Sequence, residues 1–140
     1  MNTSTAATRC FVGLSGTANA DCTDDPLVQA DTIGMGYDTA DSAWFITRVD
    51  GLGNQTRVAT GASKSTSDVY EIRIWCNPSA SAVFVQVYDF TNGVPLIDTS
   101  YSTNLPDATS FLMAMANAGT AASAVAQKFQ LYGMMLESFY

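Results

Sequence analysis

The chain has 140 residues, of which 47% are hydrophobic and 14% charged, with a net charge of −7 and no histidine. A chain of this length suits one domain and can bury a core without covalent staples, and so much apolar content with so little charge excludes a disordered segment. The basic residues Arg9, Arg48, Arg57, Lys64, Arg73 and Lys128 are scattered through the sequence. The basic patch that drives nucleic acid binding through counterion release is therefore not visible, and no nucleic acid partner is expected.

Residues 1–8 read as an N-terminal extension or the boundary of a fragment, and 9–140 as a single domain. Met1–Thr5 has no basic segment followed by an apolar run, so it does not read as a secretory leader. Arg9–Leu14 is a strand candidate, and Ser15–Gln29, rich in Asn, Asp, Thr, Gly and Pro, reads as a loop. Three short strands follow, Thr32–Tyr37, Ala43–Val49 and Thr56–Thr60, the last two joined through Asp50-Gly51. The middle one is β-branched and aromatic, bounded by turn residues at both ends.

Gly61–Ser67 reads as a polar turn. In Asp68–Cys76 the side chains alternate, Tyr70, Ile72 and Ile74 against Val69, Glu71, Arg73 and Trp75, so the second set marks a partly covered outer face. Asn77-Pro78-Ser79 is a turn. Ser81–Phe90 alternates again, with Val83, Val85 and Val87 opposing Phe84, Gln86, Tyr88 and Phe90. Thr91-Asn92-Gly93 marks a hairpin, because Asn-Gly supplies the positive φ angles of a two-residue turn, and Val94–Tyr101 is the return strand. Leu105-Pro106 ends pairing in the next loop, since proline has no N–H to donate.

Ala108–Ala116 has the propensity of a helix, but its β context favours a strand. Asn117–Thr120 reads as a turn, Ala121–Gln127 is ambiguous between the same two states, and Lys128–Phe139 alternates as a final strand. About nine or ten strands with turn signals at this spacing indicate an all-β, single antiparallel β-sandwich, read as a jelly roll. Even the most apolar stretch, Phe111–Ala126, is interrupted by Asn117, Gly119, Thr120 and Ser123, so no membrane insertion is expected.

Chemistry-bearing residues are sparse. Without histidine the chain has no Ser–His or Cys–His nucleophile and lacks the imidazoles of common zinc and iron sites. Glu71 and Glu137 are the only glutamates, and Glu71 has no acidic partner on its own strand for paired-carboxylate hydrolysis. The expectation is a non-enzymatic protein without a cofactor. Asp21, Asp24 and Asp25 cluster in the first long loop, with Asp31, Asp38 and Asp41 around the second strand. Loop aspartates ordinarily cap turns; the sharper alternative is a calcium site, and Asp21, Asp24 and Asp25 are its weak candidates.

Of the three cysteines, Cys10 and Cys22 could pair, and Cys76, at the end of a strand, reads as a buried free thiol. The aromatic candidates for ligand contact are Trp75 and Trp44 ahead of Tyr37, Tyr70 and Tyr88, with core packing the ordinary role of each. Trp75 shares its face with Arg73 and Glu71, so Trp75 and Arg73, with Trp44, are the ligand-binding candidates.

The succession TRCFVGLSG, IGMGYDTADSAWFITRVDGLG, VYEIRIWCNP, VFVQVYDFTNG and TNLPDATSFLMAMANAGTAA resembles the C-terminal jelly-roll, concanavalin-like tip domains of bacteriophage tail fibres and other virion fibre proteins. The resemblance runs from about Thr8 to Glu137 and lies in the order of Gly-Tyr-Asp, Asp-Gly, Asn-Gly and Leu-Pro turns. It implies a homotrimeric tip in the virion, packed against other virion proteins, that attaches to a host-surface glycan or protein. It carries over no particular binding residue. The alternative it leaves is a structural virion protein, such as a head fibre, capsid decoration or trimerisation knob.

Overall fold

The structure, a computed structural model, describes residues 8–16, 28–64, 67–77 and 81–120. Among these residues there are eight strands and no helix: β1 (Thr8–Ser15), β2 (Thr32–Tyr37), β3 (Ala43–Val49), β4 (Gln55–Ser63), β5 (Tyr70–Trp75), β6 (Val83–Asp89), β7 (Val94–Tyr101) and β8 (Met113–Thr120). They form two antiparallel sheets, a five-stranded one ordered β4-β3-β2-β1-β8 and a three-stranded one ordered β5-β6-β7. The fold is an all-β sandwich. Its described strands form two successive meanders, with β8 returning to pair with β1. The winding that distinguishes a jelly roll, in which successive strands alternate between sheets, is not seen among them.

Alternation places the core. Ile33 and Met35 on β2, Ile46 on β3, Ala62 on β4, and Val85 and Val87 on β6 form one buried cluster between the sheets. Fully burying an aliphatic side chain of this size is worth about 1.5–3 kcal/mol. Tyr70, Ile72 and Ile74 pack against the cluster from β5, as their alternation predicts. A register shift between Val87 and Tyr88 lets two successive β7 residues, Leu96 and Ile97, both reach the core.

The five-stranded sheet is buried on its other face as well. Phe11, Thr32, Thr47 and Val49 have no exposed surface. There Gly13 lies opposite Gly34, and the ring of Phe11 covers both: a Cβ on Gly34 would stand 2.5 Å from Phe11 Cζ and 2.5 Å from the Val12 carbonyl oxygen. Ser15 Oγ and Thr32 Oγ1 share a buried hydrogen bond of 3.1 Å.

Several boundaries differ from the sequence reading. β4 continues past Thr60 because Gly61 takes φ +83, a bulge only glycine adopts without strain. Thr60 Oγ1 donates to the Trp44 carbonyl and accepts from Ala62 N, so it bridges the irregularity. Residues 108–112 form a turn and its exit, and the strand starts at Met113; Asn117–Thr120 is thus the end of β8 and not a turn. The β6–β7 link is a four-residue loop, Phe90–Gly93, in which only Gly93 has positive φ. The Asp89 carboxylate accepts from Asn92 N and Nδ2, which fixes a wider turn than Asn-Gly alone implies.

Cys76 is exposed, one residue beyond the end of β5, and the buried thiol among the described residues is Cys10. Cys10 is free, and burial pushes its pKa up to about 12 despite a backbone hydrogen bond from Phe11. Cys22, the calcium candidates Asp21, Asp24 and Asp25, the ambiguous 121–127 and the final strand expected at 128–139 lie outside the described residues.

Candidate functional site

The outward side of the three-stranded sheet forms a lattice of three rows across three strands. Register places Trp75, Phe84 and Ser100 in the first row, Arg73, Gln86 and Asp98 in the second, and Glu71, Tyr88 and Pro95 in the third. Rows two residues apart along a strand are about 6.6 Å apart. The lattice is therefore about 13 Å from its first row to its third.

Its ends are aromatic. Trp75 is 43% exposed and its indole lies nearly parallel to the Phe84 ring, with centroids 5.5 Å apart and planes inclined by 14°. At the other end Tyr88 meets Phe90 edge to face at 5.2 Å, and Phe90 and Val94 are exposed. The middle is polar and internally paired: Arg73 Nη2 contacts Glu71 Oε2 at 2.9 Å, and Gln86 Nε2 donates to Asp98 Oδ2 at 3.3 Å. These pairs are exposed, so they add little stability. Their consequence is a row of paired hydrogen-bonding groups between two apolar pads.

Of the ligand-binding candidates named from sequence, this face gathers Trp75 and Arg73 and leaves out Trp44. Trp44 lies on the core side of β3, edge-on to Tyr37 at 4.6 Å and Tyr70 at 6.1 Å. Phe84, Gln86 and Asp98 join the face through strand pairing, which the sequence does not display residue by residue.

A second grouping also escapes sequence reading. Three of the scattered cations converge on the β2–β3 turn. Arg9 Nη2 reaches Asp38 Oδ1 at 3.3 Å, Arg57 forms a two-pronged ion pair with Asp41, and Lys64 Nζ donates to the Asp38 carbonyl at 2.7 Å. The Lys64 ammonium also lies 4.3 Å over the Tyr37 ring, and the Arg57 guanidinium 4.3 Å over Phe45. Inside the turn, Asp38 N donates to Asp41 Oδ2 and Thr39 N to Asp38 Oδ1. Burial alone would raise the Asp41 pKa; the hydrogen bonds from Arg57 and Asp38 N and the nearby cations outweigh it and hold the carboxyl below its ordinary value.

The other loop aspartates act as caps. Asp50 Oδ1 accepts from Leu52 N and Asn54 N, each at 2.9 Å. Asp31, at φ 54, accepts from Asp107 N and Ser110 Oγ, which fastens the β7–β8 connection to the start of β2. Among the described residues no group of three or more potential metal ligands is brought together.

Arg48 is 4% exposed and faces no carboxylate within reach among the described residues. Its Nη1 donates to the Thr103 carbonyl at 2.8 Å, and its guanidinium lies 4.0 Å over the Tyr101 ring. Burial lowers its pKa, while Arg48 Nε and Tyr101 Oη are buried without a hydrogen-bond partner among the described residues.

No family model, curated protein or solved structure matches the chain.

Proposed function

We propose that this chain is the receptor-binding tip of a virion fibre, a non-enzymatic homotrimeric domain that attaches a bacteriophage to the surface of its host. The observation that carries this reading is the outer face of β5-β6-β7, where the exposed Trp75–Phe84 pair adjoins Arg73, Gln86 and Asp98. Exposed aromatic rings beside oriented polar groups form the composition of a recognition surface. Aspartate carboxylates cap the turns at the sheet ends, Asp89 beside the face and Asp31, Asp38, Asp41 and Asp50 in the five-stranded sheet behind it. The order of turns that resembles the fibre tips supports the same assignment.

The purified chain, labelled with a fluorophore, should adsorb to the strains that the parent virion infects and should block infection when added free. Sedimentation should give a mass three times that of the monomer. Binding to capsids in place of cells would favour a decoration role, and turnover of a polysaccharide panel would refute the non-enzymatic assignment.

A further inference from the structure

We infer that the outer face of β5-β6-β7 takes an uncharged glycan, laid along the strands from the Trp75–Phe84 pair toward Tyr88. This deepens the attachment reading and rests on it. A pyranose ring has an apolar face of C–H groups and a rim of hydroxyls. The C–H face matches the electron-rich face of an indole, and Trp75 is open to solvent while Phe84 supports it from behind. The rim needs donors and acceptors side by side, because each hydroxyl is both. The adjacent row supplies the remaining N–H groups of Arg73, the amide oxygen of Gln86 and the free oxygen of Asp98, and the first row adds the hydroxyl of Ser100. About 13 Å separates this first row from Tyr88, which leaves room for several sugar rings between two aromatic contacts.

Charge selects the class of glycan. Arg73, the only cation of the lattice, is already paired with Glu71 at 2.9 Å, and Asp98 adds a second carboxylate with no cation of its own there. The face is thus mildly anionic on a chain of net charge −7. A sialylated, sulfated or phosphorylated glycan would meet repulsion with no free cation to offset it, whereas a neutral one meets only hydrogen bonds and stacking.

The test uses the full chain, titrated against neutral oligosaccharides built from glucose, galactose, mannose and N-acetylglucosamine, and against sialylated and sulfated ones. Binding is expected within the neutral set alone, nearly unchanged when salt rises from about 0.05 to about 0.5 M. Trp75→Ala and Gln86→Ala are each expected to weaken it about tenfold or more, with circular dichroism spectra and melting temperatures close to the parent chain because both side chains lie on the outer face. Trp75→Phe should keep part of the affinity. Preference for acidic glycans, strong salt dependence, or full affinity in Trp75→Ala would overturn the inference. Adsorption to host cells that survives periodate oxidation of their sugars but not protease treatment would overturn it while sparing the attachment reading. Failure to adsorb at all would overturn both.

Discussion

Gly34→Ala should destabilise the fold through space alone, because Gly34 is not among the glycines with positive φ. The new Cβ would lie 2.5 Å from Phe11 Cζ, 2.7 Å from Phe11 Cε2 and 2.5 Å from the Val12 carbonyl oxygen. Ordinary carbon contacts are about 3.5–4.0 Å, so the neighbours must retreat by about 1 Å. The ring has nowhere to go, since Phe11 is fully buried, and the carbonyl belongs to a strand paired on both sides. Overpacking of this kind costs about 1–3 kcal/mol. Restricting the unfolded chain returns about 0.4–1 kcal/mol, and the rigid carbonyl places the expected net loss near the upper end, about 2 kcal/mol.

For a domain of this size that loss corresponds to a fall in melting temperature of about 6–10 °C. Thermal melts and urea titrations measure it, with an unchanged urea slope showing that the native and unfolded states stay comparable. Phe11→Leu removes the ring atoms that clash but leaves the carbonyl. The double variant should therefore be about 1 kcal/mol more stable than the two single losses predict. A Gly34→Ala variant within about 0.5 kcal/mol of the parent chain, the size of an ordinary surface change, would refute this account of the Gly13–Gly34 crossing.

Acid should weaken the fold below about pH 4. Hydrogen bonds from Asn54 lower the Asp50 pKa, those from Asn92 lower that of Asp89, and at Asp41 the Arg57 pair outweighs burial. These folded-state values lie below the unfolded one, so the stabilisation is complete above the unfolded pKa and is lost as pH falls through the folded values. Asp41→Asn should flatten that slope in urea melts at pH 2–5, and an unchanged slope would count against the turn pair. Cys76 should react with a thiol reagent in the native protein, whereas in a Cys22→Ser/Cys76→Ser variant Cys10 should react only as fast as the chain unfolds; rapid native labelling of that variant would contradict the burial of Cys10. Arg48→Ala should cost about 3–5 kcal/mol, through the space it leaves and the loss of its contacts with Tyr101 and Thr103, while Arg48→Met should sit within about 1.5 kcal/mol of the parent chain, because relief of the buried charge offsets those losses. Equal losses in chemical denaturation of the two variants would show that the charge itself is needed.

Alternation alone makes β5 and β6 legible in the sequence. Tyr70, Ile72, Ile74, Val85 and Val87 turn inward, and Glu71, Arg73, Phe84 and Gln86 outward, because each strand has one core face. β2 and β3 are legible at their observed bounds, Thr32–Tyr37 and Ala43–Val49, from β-branched and aromatic residues closed off by turns and not from alternation, since both of their faces are buried. The true start of β8, by contrast, is hidden. Ala and Met carry no strong strand preference, and the signal that delays the strand is tertiary, the Asp31 carboxylate holding Asp107 and Ser110. Trp75 and Arg73 are recognisable as neighbours on one strand face. Gln86 and Asp98 become part of the candidate site only through cross-strand register, and Arg9, Arg57 and Lys64 meet at the β2–β3 turn only through the folded path of the chain.

Pairing of the first described strand with the last also bears on how the chain reaches its native state. Thr8 sits opposite Thr120 and Ser15 opposite Met113, so nearly the whole described chain separates the partners. Each meander can form from local contacts, but the β1–β8 ladder must wait for the largest loop closure among the described strands, and such non-local pairing is slow. During synthesis at about 5–20 residues per second, one edge of β1 stays unsatisfied for seconds until β8 has emerged. In the homotrimer proposed above, that interval would be the window in which the nascent β1 edge can capture a strand from a neighbour, and pairing with β8 is what would close it.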